Sequence, residues 1–153
     1  MAFVQYDKET LEILYTIDKE EEGAIEIPNE YLVSSNVFDC LKEFKIQKAK
    51  EHMDELYRRY LKKYPEVERQ SFKDKAREAA LVMKNKASNI DTPLEDTPYL
   101  SALTANDVTA RDALAEAIDA KIKEYAALEA QGYALRDTIK NATKVNELLD
   151  ILL

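Results

Sequence analysis

The chain has 153 residues, enough for one domain or for a small head joined to a helical body. Charged residues make up 34% and glycines number two, which suits long solvated helices and speaks against compact β structure or a loop-rich enzyme. A net charge of −8 favours solubility and argues against a nucleic-acid role, and the single cysteine, Cys40, permits no internal disulfide.

Residues 1–34 differ from the rest. Phe3–Tyr6 is a short β-prone run, and Asp7-Lys8-Glu9-Thr10 is a polar turn. Leu11, Ile13, Tyr15 and Ile17 then alternate with Glu12, Leu14, Thr16 and Asp18, the mark of a half-buried strand. Ala24–Ile27 offers a third strand, stopped by Pro28. An isolated hairpin is marginal in water, so this head must lean on the helices, on a second copy or on a partner. It carries nine acids against two lysines, including Glu20-Glu21-Glu22, read either as a solvated loop or as an acidic docking surface.

The first long helix is predicted over residues 36–64, capped by Ser34, Ser35 or Asn36. Val37, Leu41, Phe44, Ala49, Met53, Leu56, Tyr60 and Tyr64 recur mainly at spacings of three and four. Pro65 suits a helix end. Ser71, with Asp74 three residues on, resembles a capping box for a second helix over 72–88, whose face is Phe72, Ala76, Ala79, Ala80, Met83 and Ala87. After a loop, Thr97-Pro98 opens a short helix with proline at the favoured first position. Thr109 is the predicted cap of a third long helix with a seam of Leu114, Ile118, Ile122, Tyr125, Leu128, Leu135 and Ile139, in which Gly132 marks either a kink or a close helix contact. Thr143 is the predicted cap of a last helix ending in an apolar tail.

Enzyme signatures are scarce. His52 is the only histidine, and no second histidine or cysteine stands near it to share a transition metal. No GxGxxG loop, P-loop or nucleophile elbow occurs. Neither catalytic residues nor a cofactor nor a metal is expected, and Cys40 reads as a structural thiol. Residues 36–64 are net basic, with Lys42, Lys45, Lys48, Lys50, Arg58, Arg59, Lys62 and Lys63. With Tyr57, Tyr60 and Tyr64 they could form a nucleic-acid-binding face, but five interleaved acids favour a solvated surface laced with ion pairs, or one that attracts the acidic head. No apolar run approaches the roughly 18 residues that would read as a membrane span, and the opening residues lack a signal-peptide pattern.

The segment YPEVERQSF (Tyr64–Phe72), an Ala-rich helix, Thr97-Pro98-Tyr99-Leu100, a long Ala/Tyr helix and a closing Ala142, Val145, Glu147, Leu148 element follow one another in an order that resembles small tailed-bacteriophage proteins encoded near tail and tail-fibre genes. The opening VQYDKETLEILYTI is similar to the β head of such proteins. The resemblance is strongest over 64–153. It implies a structural or adaptor piece of the tail or tail-fibre apparatus, located in the virion tail after synthesis in the host cytoplasm. The alternative it implies is a tail-fibre assembly chaperone. Expected partners are other tail or tail-fibre proteins and further copies of the chain, with no membrane and no nucleic acid. The expected fold is mostly α, an antiparallel bundle of long helices (35–153) with a small N-terminal β-hairpin head (1–34). Candidate partner-binding residues are Leu11, Ile13, Tyr15 and Ile17 on the head, and Leu148, Leu149, Leu152 and Leu153 in the tail.

Overall fold

Period-two patterning near the N-terminus gives way to spacings of three and four, and the backbone follows it. A computed structural model describes residues 1–153. Strands β1 (Ala2–Tyr6), β2 (Ile13–Ile17) and β3 (Ile25–Ile27) come first. Helices α1 (Val37–Leu61), α2 (Glu66–Gln70), α3 (Phe72–Ala87), α4 (Pro98–Leu103), α5 (Val108–Asn141) and α6 (Val145–Leu149) follow. The chain is thus mostly helical with a small antiparallel sheet at its N-terminus, as the sequence implies. No helix is long and apolar enough to cross a membrane. Two compact units form, Met1–Leu56 with Gln131–Leu153, and Tyr57–Ala130. The sheet therefore shares a unit with parts of α1 and α5, and the division does not fall at 34/35.

In the first unit the strand order is β2-β1-β3. The Asp7 carboxylate accepts from the backbone N–H groups of Thr10 and Glu9, at 2.9 and 2.8 Å, which closes the turn and lowers the Asp7 pKa. Leu11 has φ 61°, so it belongs to the turn and not to the alternating strand. Its carbonyl accepts from Val37 N–H at 2.9 Å, and Ile13 N–H donates to Ser35 at 2.7 Å, stapling the start of β2 to the entry of α1.

β1 pairs Phe3 with Ile17 and Gln5 with Tyr15, but Tyr6 with Ile13, so Leu14 is an extra residue in β2. Such a bulge re-aims side chains, because facing alternates residue by residue. Leu11 and Ile13 pack on the core with Val4, Ile25 and Ile27. Tyr15 and Ile17 instead lie opposite Gln5 and Phe3, the neighbours of buried Val4 on the other face. The expected single stripe of four residues is split in two.

Asn36 proves to be the α1 cap, its Oδ1 accepting from Phe38 N–H at 2.9 Å and Asp39 N–H at 3.2 Å. Val37, Cys40, Leu41 and Ala49 of α1 then meet Ile139, Ala142, Val145 and Leu148 in one buried cluster. Here α1 and α5 run antiparallel, since Lys42 Nζ donates to the Lys140 carbonyl at 2.7 Å while Met53 lies against Gly132. A Cβ on Gly132 would stand 2.9 Å from Met53 Cγ, and α5 is unbroken across it, so this glycine serves a close helix contact. Thr143 is not the α6 cap: its N–H donates to Glu147 Oε2 at 2.9 Å, and the residue before α6, Lys144, makes no side-chain cap.

In the second unit, the polar turn after Tyr64 is itself helical (α2). Ser71 does not open α3 as a capping box. It has helical backbone angles, and its hydroxyl donates back to the Glu68 carbonyl at 2.9 Å. The α3 face is also rotated from the expected one: Ala79 and Val82 are buried with Glu78, while Ala80 and Ala87 are exposed. Ala79 and Val82 pack with Leu100 and Ala115. Asp107, not Thr109, caps α5 through Ala110 N–H at 2.8 Å.

Candidate interaction groove

Residues 57–125 gather aromatic side chains because Tyr57 and Tyr60 lie three apart at the end of α1, Tyr64 follows just beyond it, and α5 presents Tyr125 to them. Tyr57 and Tyr60 stack at a tilt on Tyr125, with ring centroids 5.3 and 5.8 Å apart. Tyr60 continues to Tyr64 at 5.7 Å, and Tyr64 meets Phe72 edge-on at 5.3 Å. Offset and edge-on pairs of this kind favour one another beyond their buried area. Along this aromatic row lies a groove of about 570 Å³, which Leu61, Ala76, Leu103, Leu114, Ala117, Ile118 and Ile122 complete. Its charged lining residues are Lys73, Lys75 and Lys121 against Glu68. Leu103 and Ile122 are 54% and 41% exposed, so apolar surface faces solvent here.

The short helix α4, which contributes Leu103 to the groove, is held by two buried charged residues. Glu78 of α3 is 3% exposed, and its two carboxylate oxygens accept from Tyr99 N–H at 3.1 Å and Leu100 N–H at 2.8 Å. These are the N–H groups that a helix start leaves unpaired, and Thr97 makes no side-chain cap for them. Arg111 of α5 is 1% exposed and reads the preceding loop. It donates to Thr97 Oγ1 and to the Thr92 carbonyl, each at 2.7 Å, and its Nε donates to Asp112 Oδ1 at 2.7 Å. Thr97 and Ser101 pair hydroxyls at 3.2 Å, and Ser101 donates to the Leu94 carbonyl at 2.9 Å. Every buried side-chain nitrogen and oxygen has a partner, the condition under which a buried polar network specifies one geometry.

Two of these tyrosines, Tyr60 and Tyr125, are held as neutral hydroxyls. Burial first, then hydrogen bonding with Tyr64 and the charges around Tyr64, Glu124 and Tyr125, push Tyr60 up to about 12. Burial chiefly, then Tyr57, raises Tyr125. The groove thus offers apolar surface, phenolic donors and ammonium groups, a set suited to seating an apolar segment with acidic flanks.

The residues singled out from sequence fall elsewhere. Leu11 and Ile13 are half-buried and pack against the core, and Leu148 is fully buried, so Leu148 offers no side-chain surface to a partner. Tyr15 is 48% exposed and donates to Glu21 Oε2 at 3.0 Å, which raises its pKa. Ile17 is half-buried, while Leu149, Leu152 and Leu153 are 39%, 90% and 43% exposed. Cys40 is buried and His52 exposed. Lys42 and Lys45 of the basic helix bind the carbonyls of Lys140 and Ile151. No group of three His, Cys, Asp or Glu side chains is placed to hold a metal ion. Sequence reasoning missed Glu78, Arg111 and the groove. The available signal is the set Tyr57, Tyr60, Tyr64, Phe72 and Tyr125, which lies on separate elements whose patterns carry no information about one another.

No family model, curated protein or solved structure matches this chain.

Proposed function

We propose that the chain is a non-enzymatic structural or adaptor component of a bacteriophage tail or tail-fibre apparatus, and that it binds a protein partner through the aromatic groove. The observation that carries the binding half of this reading is the solvent-facing apolar groove, whose Leu103 stands on a helix that Glu78 and Arg111 hold. A helix so held lowers the entropy lost on docking, because the surface is arranged before the partner arrives. The tail half rests on the resemblance. Tyr64 and Phe72 of the YPEVERQSF element line the groove, and Thr97–Leu100 is the segment that Glu78 and Arg111 hold.

A chaperone that binds fibre chains transiently is the second reading, favoured by the exposed Leu149, Leu152 and Leu153. A nucleic-acid role is less well supported, since two of the lysines it would use already serve internal carbonyls. Quantitative mass spectrometry of purified phage particles tests the reading, with copy number scaled to a known tail protein. A fixed small stoichiometry is expected. Abundance in infected cells with absence from particles would establish the chaperone, and absence from both would refute the tail assignment.

A further inference from the structure

The molecule carries two apolar surfaces that its own packing leaves uncovered, and they differ in shape and in charge. One is the groove. The other is the segment Leu149–Leu153, in which Leu152 is the most exposed large apolar residue of the chain. Between its leucines, Ile151 packs on the core of the first unit and its carbonyl accepts from Lys45 Nζ at 2.7 Å. Leu149, Leu152 and Leu153 are therefore presented from an anchored stem. Asp150 sits among them and is exposed.

We infer that the occupant of the groove is the Leu149–Leu153 segment of a second copy of this chain. The inference rests on the reading of the groove as a binding surface and names what fills it. Charge supports the match, since the groove sets Lys73, Lys75 and Lys121 against the single Glu68, and the segment brings Asp150. Size supports it too: about 570 Å³ lies within the roughly 300–1,000 Å³ that seats a compact apolar ligand, room for two or three leucine side chains. Lys73 and Lys121 are exposed; Lys121 already donates to Glu124 Oε2 at 3.0 Å, a solvent-exposed pair of the weak kind that an incoming carboxylate can displace.

Groove and segment are different patches and each copy offers one of each, so the contact either closes reciprocally between two copies, each seating the other's segment, or repeats into a ring or filament.

The test is sedimentation velocity of the full chain over a dilution series, with two double variants that both alter exposed residues. Wild type is expected to self-associate as concentration rises, to a dimer where the exchange is reciprocal and to larger species where it is not. Leu152→Ser with Leu153→Ser removes the segment, and Lys73→Glu with Lys121→Glu reverses the groove. Each alone is expected to weaken association by about tenfold or more. Mixed one to one, the two variants retain one intact groove and one intact segment between them, and a species of two chains is expected to return. Asp150→Lys placed in the groove-reversed chain is expected to restore association. A wild type that stays monomeric, or variants that associate as wild type does, would overturn the inference. The groove reading fails separately: it is lost if the groove-reversed chain enters phage particles at the normal copy number. It survives if that copy number falls while wild type remains monomeric.

Discussion

Replacing Glu78 by alanine would remove both acceptors at the start of α4. Hydrogen bonds to a charged group contribute about 1.5–3 kcal/mol each. The two share one carboxylate and one helix end, so they do not add fully. Leu100 is completely buried, so its N–H gains no water in exchange. Against this, alanine is the better helix former by a few tenths of a kcal/mol. The expected net loss is about 3 kcal/mol. For a chain of this length each kcal/mol moves Tm by roughly 2–4 °C, so a fall of about 6–12 °C is expected. Differential scanning calorimetry reads the global change, and hydrogen exchange at the Leu100 amide reads the local one. Glu78→Gln keeps one carbonyl-type acceptor but turns an NH₂ toward a backbone N–H, and should lose roughly 2 kcal/mol. The reasoning is refuted if Glu78→Ala lies within about 1 kcal/mol of wild type with Leu100 protection unchanged.

Two further expectations follow from the geometry. Gly132→Ala gains about 1 kcal/mol of helix propensity but puts a Cβ 2.9 Å from Met53 Cγ, an overpacking that costs about 1–3 kcal/mol. Urea denaturation should show it neutral to destabilising alone and stabilising in a Met53→Ala background, and equal effects in both backgrounds would contradict the contact. Tyr60 has a folded pKa raised from 10.0 to about 12, so its contribution is fully present below pH 10 and is lost as pH rises through that interval. The unfolded chain ionises first there and is favoured. Alkaline unfolding followed by circular dichroism should therefore be less steep in Tyr60→Phe, and an identical profile would show that Tyr60 is not protected.

Patterns confined to one element were readable in the sequence. Period-two alternation located β2, spacings of three and four located the long helices, and Asn36 and Pro98 stand where helix-start chemistry puts them. What escaped depends on partners far along the chain. Glu78 sits in a run of charged and alanine residues that reads as a solvent face, and the N–H groups it satisfies lie 21 and 22 residues on. Arg111 looks like an ordinary exposed first-turn residue, yet its partners come 14 to 19 residues earlier. The Leu14 bulge was equally hidden, since alternation in β2 alone carries no information on the register of β1. Leu148 misled for the opposite reason: an apolar tail looks the same whether its leucines are buried or presented.

The first unit is built from two stretches separated by the whole of the second, and this sets an order of events during synthesis. Residues 57–130 are contiguous and can complete their packing once they have left the ribosome. Val37, Cys40 and Leu41 leave earlier, but their buried neighbours Ile139, Ala142, Val145 and Leu148 are translated only after the whole of residues 57–130. The N-terminal sheet must therefore wait, its apolar face open, until the final turns of α5 arrive. The unit begun before residues 57–130 is completed after them.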